Sequence, residues 1–309
     1  MLNNTIRILN FDNSILRQEE LLSQYNAEII DFKDIGPQAR LWLDKKTRQL
    51  IGERIRHSAE DSVTFLGSGD FHHISSLLIN QFQEPLSVIV FDHHPDWDIL
   101  PPKFGCGSWV NRALEKNNVF KVILLGVSSN DISSFWIQTG NLRSLKKNRL
   151  QIFPYAHQPT RVVLKNIPQN HSVALEKKIF STIIHWQELR NKDLEEFFLQ
   201  IINRLPTKQL YLSIDKDCLK SDYALTNWEE GYFRLEEMLM LLRLAKERLD
   251  IVGLDITGDY SQPLVAGRIK AFFSRRDHPR DYTAKDKSED LINSINEETN
   301  IRILEALKG

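Results

Sequence analysis

Two cysteines in 309 residues, Cys106 and Cys218, cannot form a disulfide framework, so the fold must rest on a hydrophobic core. No apolar run approaches the roughly 20 residues that a bilayer span needs. The opening stretch "MLNNTIRILNFDNS" lacks a basic region followed by an apolar segment, so a secretory signal is not expected. An excess of one charge is missing too. Forty Lys and Arg stand against 41 Asp and Glu, a net charge of −1, which gives no electrostatic ground for nucleic acid or an anionic membrane as partner. No Pro-, Gly- or Ser-rich linker and no internal repeat divide the chain. A hydrophobic content of 41% is enough to bury a substantial core. The expectation is a soluble, cytoplasmic protein whose residues 1–309 form one α/β domain.

What the chain does have is a recurrence of short β-branched runs. "IRILNF", "EIIDF", "SVTFLGSG", "LSVIVFD", "KVILLGV", "LQIFPY", "QLYLSID" and "DIVGLDI" read as strands. Between them, "ISSLLINQF", "SWVNRALEKN", "NKDLEEFFLQIINRL" and "RLEEMLMLLRLAKERL" read as helices. Leu194, Phe197, Phe198, Ile201 and Ile202 recur at helical spacing and define one buried face. Strands apolar throughout, alternating with helices, imply a mostly parallel sheet covered on both faces. Residues 274–309 are more charged and read as a surface loop followed by a C-terminal helix, which could dock on a neighbouring subunit of a homo-oligomer.

In such a sheet, sites form at the carboxyl ends of strands. "LSVIVFD" runs directly into Asp92, His93, His94, Asp96 and Asp98. If the segment stays extended, Asp92, His94 and Asp96 point one way and His93 the other. "QLYLSIDKDCL" ends in Asp215 and Asp217, and "VTFLGSGDFHHISSLL" in Asp70, His72 and His73. Asp and His are ligands for a divalent cation of hard or borderline character. Carboxylates gathered in one dry pocket repel each other unless cations are present, so three strand ends of this kind point to a metal site.

These residues resemble the arginase (ureohydrolase) family over about residues 60 to 262. Asp92-His93-His94-Pro95-Asp96 resembles its Asp-Ala-His-x-Asp motif. Ser213-Ile214-Asp215-Lys216-Asp217-Cys218-Leu219 resembles Ser-x-Asp-x-Asp-x-Leu, and Gly67-Ser68-Gly69-Asp70-Phe71-His72 is similar to Gly-Gly-Asp-His with one insertion. The resemblance implies a three-layer α/β/α sandwich around a mostly parallel sheet of about eight strands. It also implies two divalent metal ions, manganese by family precedent. Asp92 and Asp215 would bridge both ions, Asp96 and His72 would complete one shell, and His94 and Asp217 the other. The insertion leaves His72 or His73 as the histidine ligand, His72 being preferred. Such a pair lowers the pKa of a shared water towards neutrality and polarises the carbon under attack. The implied reaction is hydrolysis of a C–N bond in a small cationic or amide-like substrate.

The chain departs from the family pattern in several places. Cys106 stands where the family carries a proton-relay histidine. It is a relay or a nucleophile if its pKa is lowered, or a small buried residue. Gly258 occupies the slot of the glutamate that grips the guanidinium, with Asp259 one place on. Asp96, Cys106 and Asp259 are therefore the candidate catalytic groups, and Asp131, Trp109, Trp228 and Glu229 the candidate substrate contacts. Asp70 and Ser213, beside ligands, are candidates to orient them. Two other readings stay open. One is a single-zinc deacetylase-like amidohydrolase using His72-His73 as a tandem pair. The other is a metal-containing binding protein without catalysis.

Overall fold

The computed structural model describes residues 5–56, 63–163 and 169–308. His57, which carries no sequence pattern, lies outside them. In chain order the strands are β1 (Thr5–Asn10), β2 (Asn26–Asp31), β3 (Val63–Gly67), β4 (Leu86–Phe91), β5 (Val119–Leu125), β6 (Leu150–Phe153), β7 (Thr160–Val163), β8 (Val173–Lys177), β9 (Ser181–Trp186), β10 (Gln209–Asp215) and β11 (Asp250–Thr257). Eight of them make one sheet in the order β2-β1-β3-β11-β10-β4-β5-β6. Every neighbouring pair in it is parallel. These eight are the eight expected from the β-branched runs.

The sheet is covered on both faces, which is why its strands show no polar alternation. Val88 and Val90 of β4 join one apolar layer with Leu66, Ile74 and the helices Ser75–Ile79 and Trp109–Leu114. Ile89 and Phe91 join the other, with the helices Leu194–Ile202, Leu235–Arg248 and Glu289–Leu307. The result is the expected α/β/α sandwich. Each Val, Leu, Ile or Phe fully withdrawn from water contributes about 1.5–3 kcal/mol before entropy is charged against it. Helix ends follow local chemistry. The Asp193 side chain accepts from Glu196 N to start the helix Leu194–Ile202. The helix Leu235–Arg248 begins with Glu236 and Glu237 and ends with Lys246 and Arg248, matching its dipole. No described helix is long and apolar enough to cross a membrane.

Strand order creates the site. After β3 the chain moves on to β4, and β10 and β11 later fill the gap left between them. Because β3, β11, β10 and β4 are adjacent and parallel, their carboxyl ends meet at one edge. The three motif segments, distant in sequence, therefore become neighbours.

Two elements differ from expectation. β7, β9 and β8 form a small antiparallel sheet outside the eight expected strands; β7 is four residues long and β8 ends in Glu176 and Lys177. The segment from Ser274, expected to open a surface loop, starts inside a helix, Arg268–Asp277. Ile269, Phe272 and Phe273 recur there at helical spacing but stay exposed, and only Lys270 and Ser274 are buried, so the helix presents no apolar face to the core.

A buried ion-pair cluster ties this helix to the sheet. Arg40 Nη1 donates to Asp70 Oδ2 at 2.6 Å, and His278 Nε2 lies 2.9 Å from Asp70 Oδ1. Burial alone would raise the Asp70 pKa, but His278 and Arg40 outweigh it and hold the carboxyl at about 2. Asp70 thus serves the scaffold, not the ligand histidine it was expected to orient. Arg40→Met leaves it buried and half-paired, and unfolding in urea should show a loss of about 3–5 kcal/mol. In the unaltered protein the depressed pKa makes this stabilisation fully present above the unfolded value of about 4. It should fade as pH falls from there through about 2.

Candidate metal centre

Each ligand segment is delivered by a specific local device. After β3, Ser68 Oγ accepts from Asp70 N and opens the 3-10 turn Gly69–Ile74, which carries His72 inward. Gly69 lies so close to the neighbouring strand end that a Cβ there would sit 2.9 Å from Asp215 Oδ2 and 3.2 Å from Trp228. After β4 the chain bends at His93 and His94 and passes through a positive φ of 45° at Asp96. After β10 the Asp215 side chain accepts from Asp217 N, starting the turn Lys216–Cys218.

The side chains converge in two groups. His72 Nδ1 lies 3.2 Å from Asp92 Oδ2, 3.4 Å from Asp96 Oδ2 and 3.4 Å from Asp215 Oδ2. His94 Nδ1 lies 2.9 Å from Asp217 Oδ2 and 3.8 Å from Asp92 Oδ1. His72, Asp92 and Asp96 form one set with the spacing of metal ligands, and Asp92, His94 and Asp217 another, with Asp92 common to both. His93, His94 and Glu229 form a third such set, and Asp215, expected as a second bridge, belongs to none of the three; His72 is the histidine of the pair that approaches the carboxylates.

Behind the ligands stands a hydrogen-bonded support. His72 Nε2 is 2.8 Å from Ser213 Oγ, which donates to Asp255 Oδ1 at 2.7 Å; Tyr211 Oη donates to the other oxygen at 2.6 Å. With the serine hydrogen committed to Asp255, His72 Nε2 must donate, which leaves Nδ1 bare towards the carboxylates. Trp109 Nε1 donates to Asp96 Oδ2 at 2.6 Å. His94 Nε2 is 3.5 Å from Glu229 Oε2.

Electrostatics test whether cations belong here. Burial first, then Asp96 and Asp217, push the Asp92 carboxyl well above the usual range. Burial and Asp215 raise Asp217 to about 6. Burial opposes charge on His72, yet Asp215, Asp92 and Asp96 drive its pKa well up. The chain alone can relieve this crowding only by taking up protons. Asp92 Oδ2 is buried and makes no hydrogen bond of acceptable geometry. Four carboxylates, two imidazoles and a bare buried oxygen fit a pair of divalent cations.

The cluster forms the floor of a cavity of about 1010 Å³. Asp131, Trp228, Glu229 and Cys106 line it as expected. Burial, and the charges of Asp96, Asp70 and Asp277, push the Cys106 thiol well up, so it is held protonated. Cys218 packs in the core, fully buried.

Four placements correct the sequence reading. His73 is buried away from the cavity, neither ring nitrogen has a hydrogen-bond partner of good geometry among the described residues, and burial drops its pKa to about 3; a tight turn cannot aim consecutive side chains at one point. His93 does not face away but lines the cavity, because the backbone bends at His93 and His94 instead of staying extended. Trp109 does not face the cavity: it is fully buried behind Asp96 and acts as that carboxylate's donor. Asp259 is also absent from the cavity. It pairs with buried Lys216 at 2.9 Å and accepts from Gln18 at 2.7 Å. Lys216 alternates with the ligands Asp215 and Asp217, and Asp259 follows it to the far side.

Gly258 explains why no side chain replaces the lost glutamate. Its φ is +92°, and a Cβ would lie 2.5 Å from Asp215 Oδ1 and 2.7 Å from Lys216 N. Sequence reasoning noted Asp98 without giving it a role, and missed Asp277 and His278. Asp98 was visible two places after Asp96 and lines the cavity. Asp277 and His278 gave no spacing signal, since only the helix Arg268–Asp277 brings them in.

Layering, strand order and two cation-ready groups at the carboxyl edge place the chain in the ureohydrolase class of α/β/α folds. The model of the arginase family matches residues 9–258, and the chain belongs to that family. It is 28% identical over 255 residues to an uncharacterized protein of Thermotoga maritima, an alignment covering 82% of this chain and 79% of that one. The arginase of Entamoeba histolytica in complex with L-ornithine superposes with a TM-score of 0.60 at 11% identity, covering 99% of this chain and 98% of that one. The formimidoylglutamase of Bacillus subtilis does so with a TM-score of 0.55 at 14% identity, covering 96% and 87%. At such identities the superpositions establish a common fold.

Two outcomes follow from this geometry. Ser213→Ala removes the acceptor that fixes His72, and calorimetric titration with Mn2+ should show affinity reduced about 10–100-fold. Lys216→Met should cost about 3–5 kcal/mol in thermal unfolding by stranding Asp259, whereas Lys216→Met combined with Asp259→Leu should recover most of that and keep metal binding.

Proposed function

We propose that the protein is a metal-dependent hydrolase cleaving a non-peptide C–N bond in a small amidino or guanidino compound. The observation that carries this reading is the sharing of Asp92 between two ligand-spaced groups. His72 and Asp96 would complete one ion's shell, His94 and Asp217 the other's, with Asp92 and Asp215 as bridges. Six oxygen and imidazole donors without a thiolate suit manganese better than zinc or copper(I). When bound, such a pair supplies Lewis acidity and a water acidified towards neutrality.

The chain's own groups supply the rest. Ser213, Asp255 and Tyr211 hold the His72 ring, and Trp109 holds Asp96, so the floor is rigid before substrate arrives. Trp228, Glu229 and Asp131 form the walls that would orient the substrate's cationic nitrogen. Cys106, on the wall beside Asp96, does not meet the condition of a lowered pKa that a relay or nucleophile needs, because burial and its acidic neighbours push the thiol well up; it is read as a small wall residue. A one-ion deacetylase-like site has no use for both Asp96 and Asp217, and its tandem histidine pair would need His73, which does not reach the cavity.

Metal analysis of protein saturated with Mn2+ should find two ions per chain, and Asp215→Asn should lose both because a bridge needs two charged oxygens. A screen of guanidino, amidino and formimino compounds for urea, ammonia or amine release should then yield at least one substrate. Two bound ions with no turnover across that set would leave a binding protein.

A further inference from the structure

The three ligand-spaced sets differ in donor chemistry. Two lie on the cavity floor and are dominated by carboxylates. The third, His93, His94 and Glu229, stands on the wall beside them and offers two imidazoles and one carboxylate, with donor atoms within 4.8 Å of one another. Neither His93 nor Glu229 belongs to a floor set. His93 stands where the Asp-Ala-His-x-Asp motif has alanine, so the family pattern supplies no ligand at that place.

Two observations set this group apart from a chance meeting of polar side chains. His93 is only 6% exposed and lines the cavity, yet its Nδ1 has no hydrogen-bond partner among the described residues. Glu229 Oε2 is also a buried atom without a hydrogen bond among them. It lies 3.5 Å from His94 Nε2, whereas a charge-assisted hydrogen bond is about 2.7–2.9 Å long. Two ligands about 2.1 Å from a tetrahedral ion stand about 3.4 Å apart. The separation fits co-ligands of one ion better than a donor and its acceptor.

His94 joins the wall to the floor. Its Nδ1 lies 2.9 Å from Asp217 Oδ2, and its Nε2 is the nitrogen near Glu229. An ion on each side makes the ring a bridge. A neutral imidazole has one bare nitrogen, so the ring must release its remaining proton to solvent when the second ion binds.

We infer that His93, His94 and Glu229 form a third cation site, separate from the floor pair, for a divalent ion of borderline character such as zinc. Two imidazoles and a carboxylate suit zinc, whereas the oxygen-rich floor suits manganese. Three protein ligands leave a fourth position open to the cavity. The charges of imidazolate, carboxylate and dication cancel, so a filled site takes away the negative charge that Glu229 gives the wall. The site goes beyond the hydrolase reading and does not depend on it.

Metal analysis after equilibration with Mn2+ alone, and separately with excess Zn2+, tests this. In zinc the unaltered protein should hold about one ion per chain more than His93→Ala or Glu229→Ala. In manganese alone all three should hold the same number. Anomalous scattering at the zinc absorption edge should place the extra ion among His93, His94 and Glu229. Equal zinc counts in all three proteins overturn the proposal. So does an extra ion found elsewhere, for instance at the surface pair His185 and Glu176. A manganese count that also falls in the variants overturns it too, because the two side chains would then serve a floor ion. Where His93→Ala does not fold, Glu229→Ala decides alone. The difference between proteins is what counts, so a floor holding fewer than two ions would defeat the two-ion reading and leave the wall site standing.

Discussion

Mutual repulsion among Asp92, Asp96, Asp215 and Asp217 is the constraint around which this molecule is built. All four are at least nine-tenths buried, and they sit where solvent cannot screen them. A chain gains nothing in folding from such an arrangement, so its stability must come from elsewhere. The two apolar layers on the faces of the sheet provide it, together with buried pairs such as Lys216–Asp259 and Arg40–Asp70 that fix the loops at the carboxyl edge. The strained centre and the relaxed scaffold divide along the strand ends.

The support behind His72 shows how that strain is put to use. From one ring nitrogen, donation runs through Ser213 to Asp255, which also accepts from Tyr211 on the same strand as the serine. The effect is to aim the opposite nitrogen at the carboxylates. The β10–β11 register brings Ser213 opposite Asp255, so the tautomer of one histidine is set by strand pairing. Trp109 does the same for Asp96 from a helix on the other side of the cluster.

Most of this was legible in the sequence, and the reasons differ from element to element. The eight strands could be read because burial on both faces forces continuous Val, Ile and Leu. The candidate ligands could be picked out because three strand ends repeated the same residue types, which strand order then brings together. What escaped was decided by direction. Trp109, His93 and Asp259 were rightly associated with the region, but only backbone bends and a one-residue offset determine which way each points. The helix Arg268–Asp277 was missed because the side chains it buries, Lys270 and Ser274, are polar while its Ile269, Phe272 and Phe273 stay exposed. His278 reaches Asp70 across 208 positions of sequence, a separation that no local pattern encodes.

Gly258 closes one road for protein engineers and for evolution alike. Its backbone stands against the bridging aspartate, so putting an acidic side chain back at that spot would force two strands apart before any ligand felt it. New preferences would have to arise in the loops that line the cavity, such as those carrying Glu229 and Asp131. A lineage with this edge geometry is thus free to change what it recognises while its chemistry stays fixed.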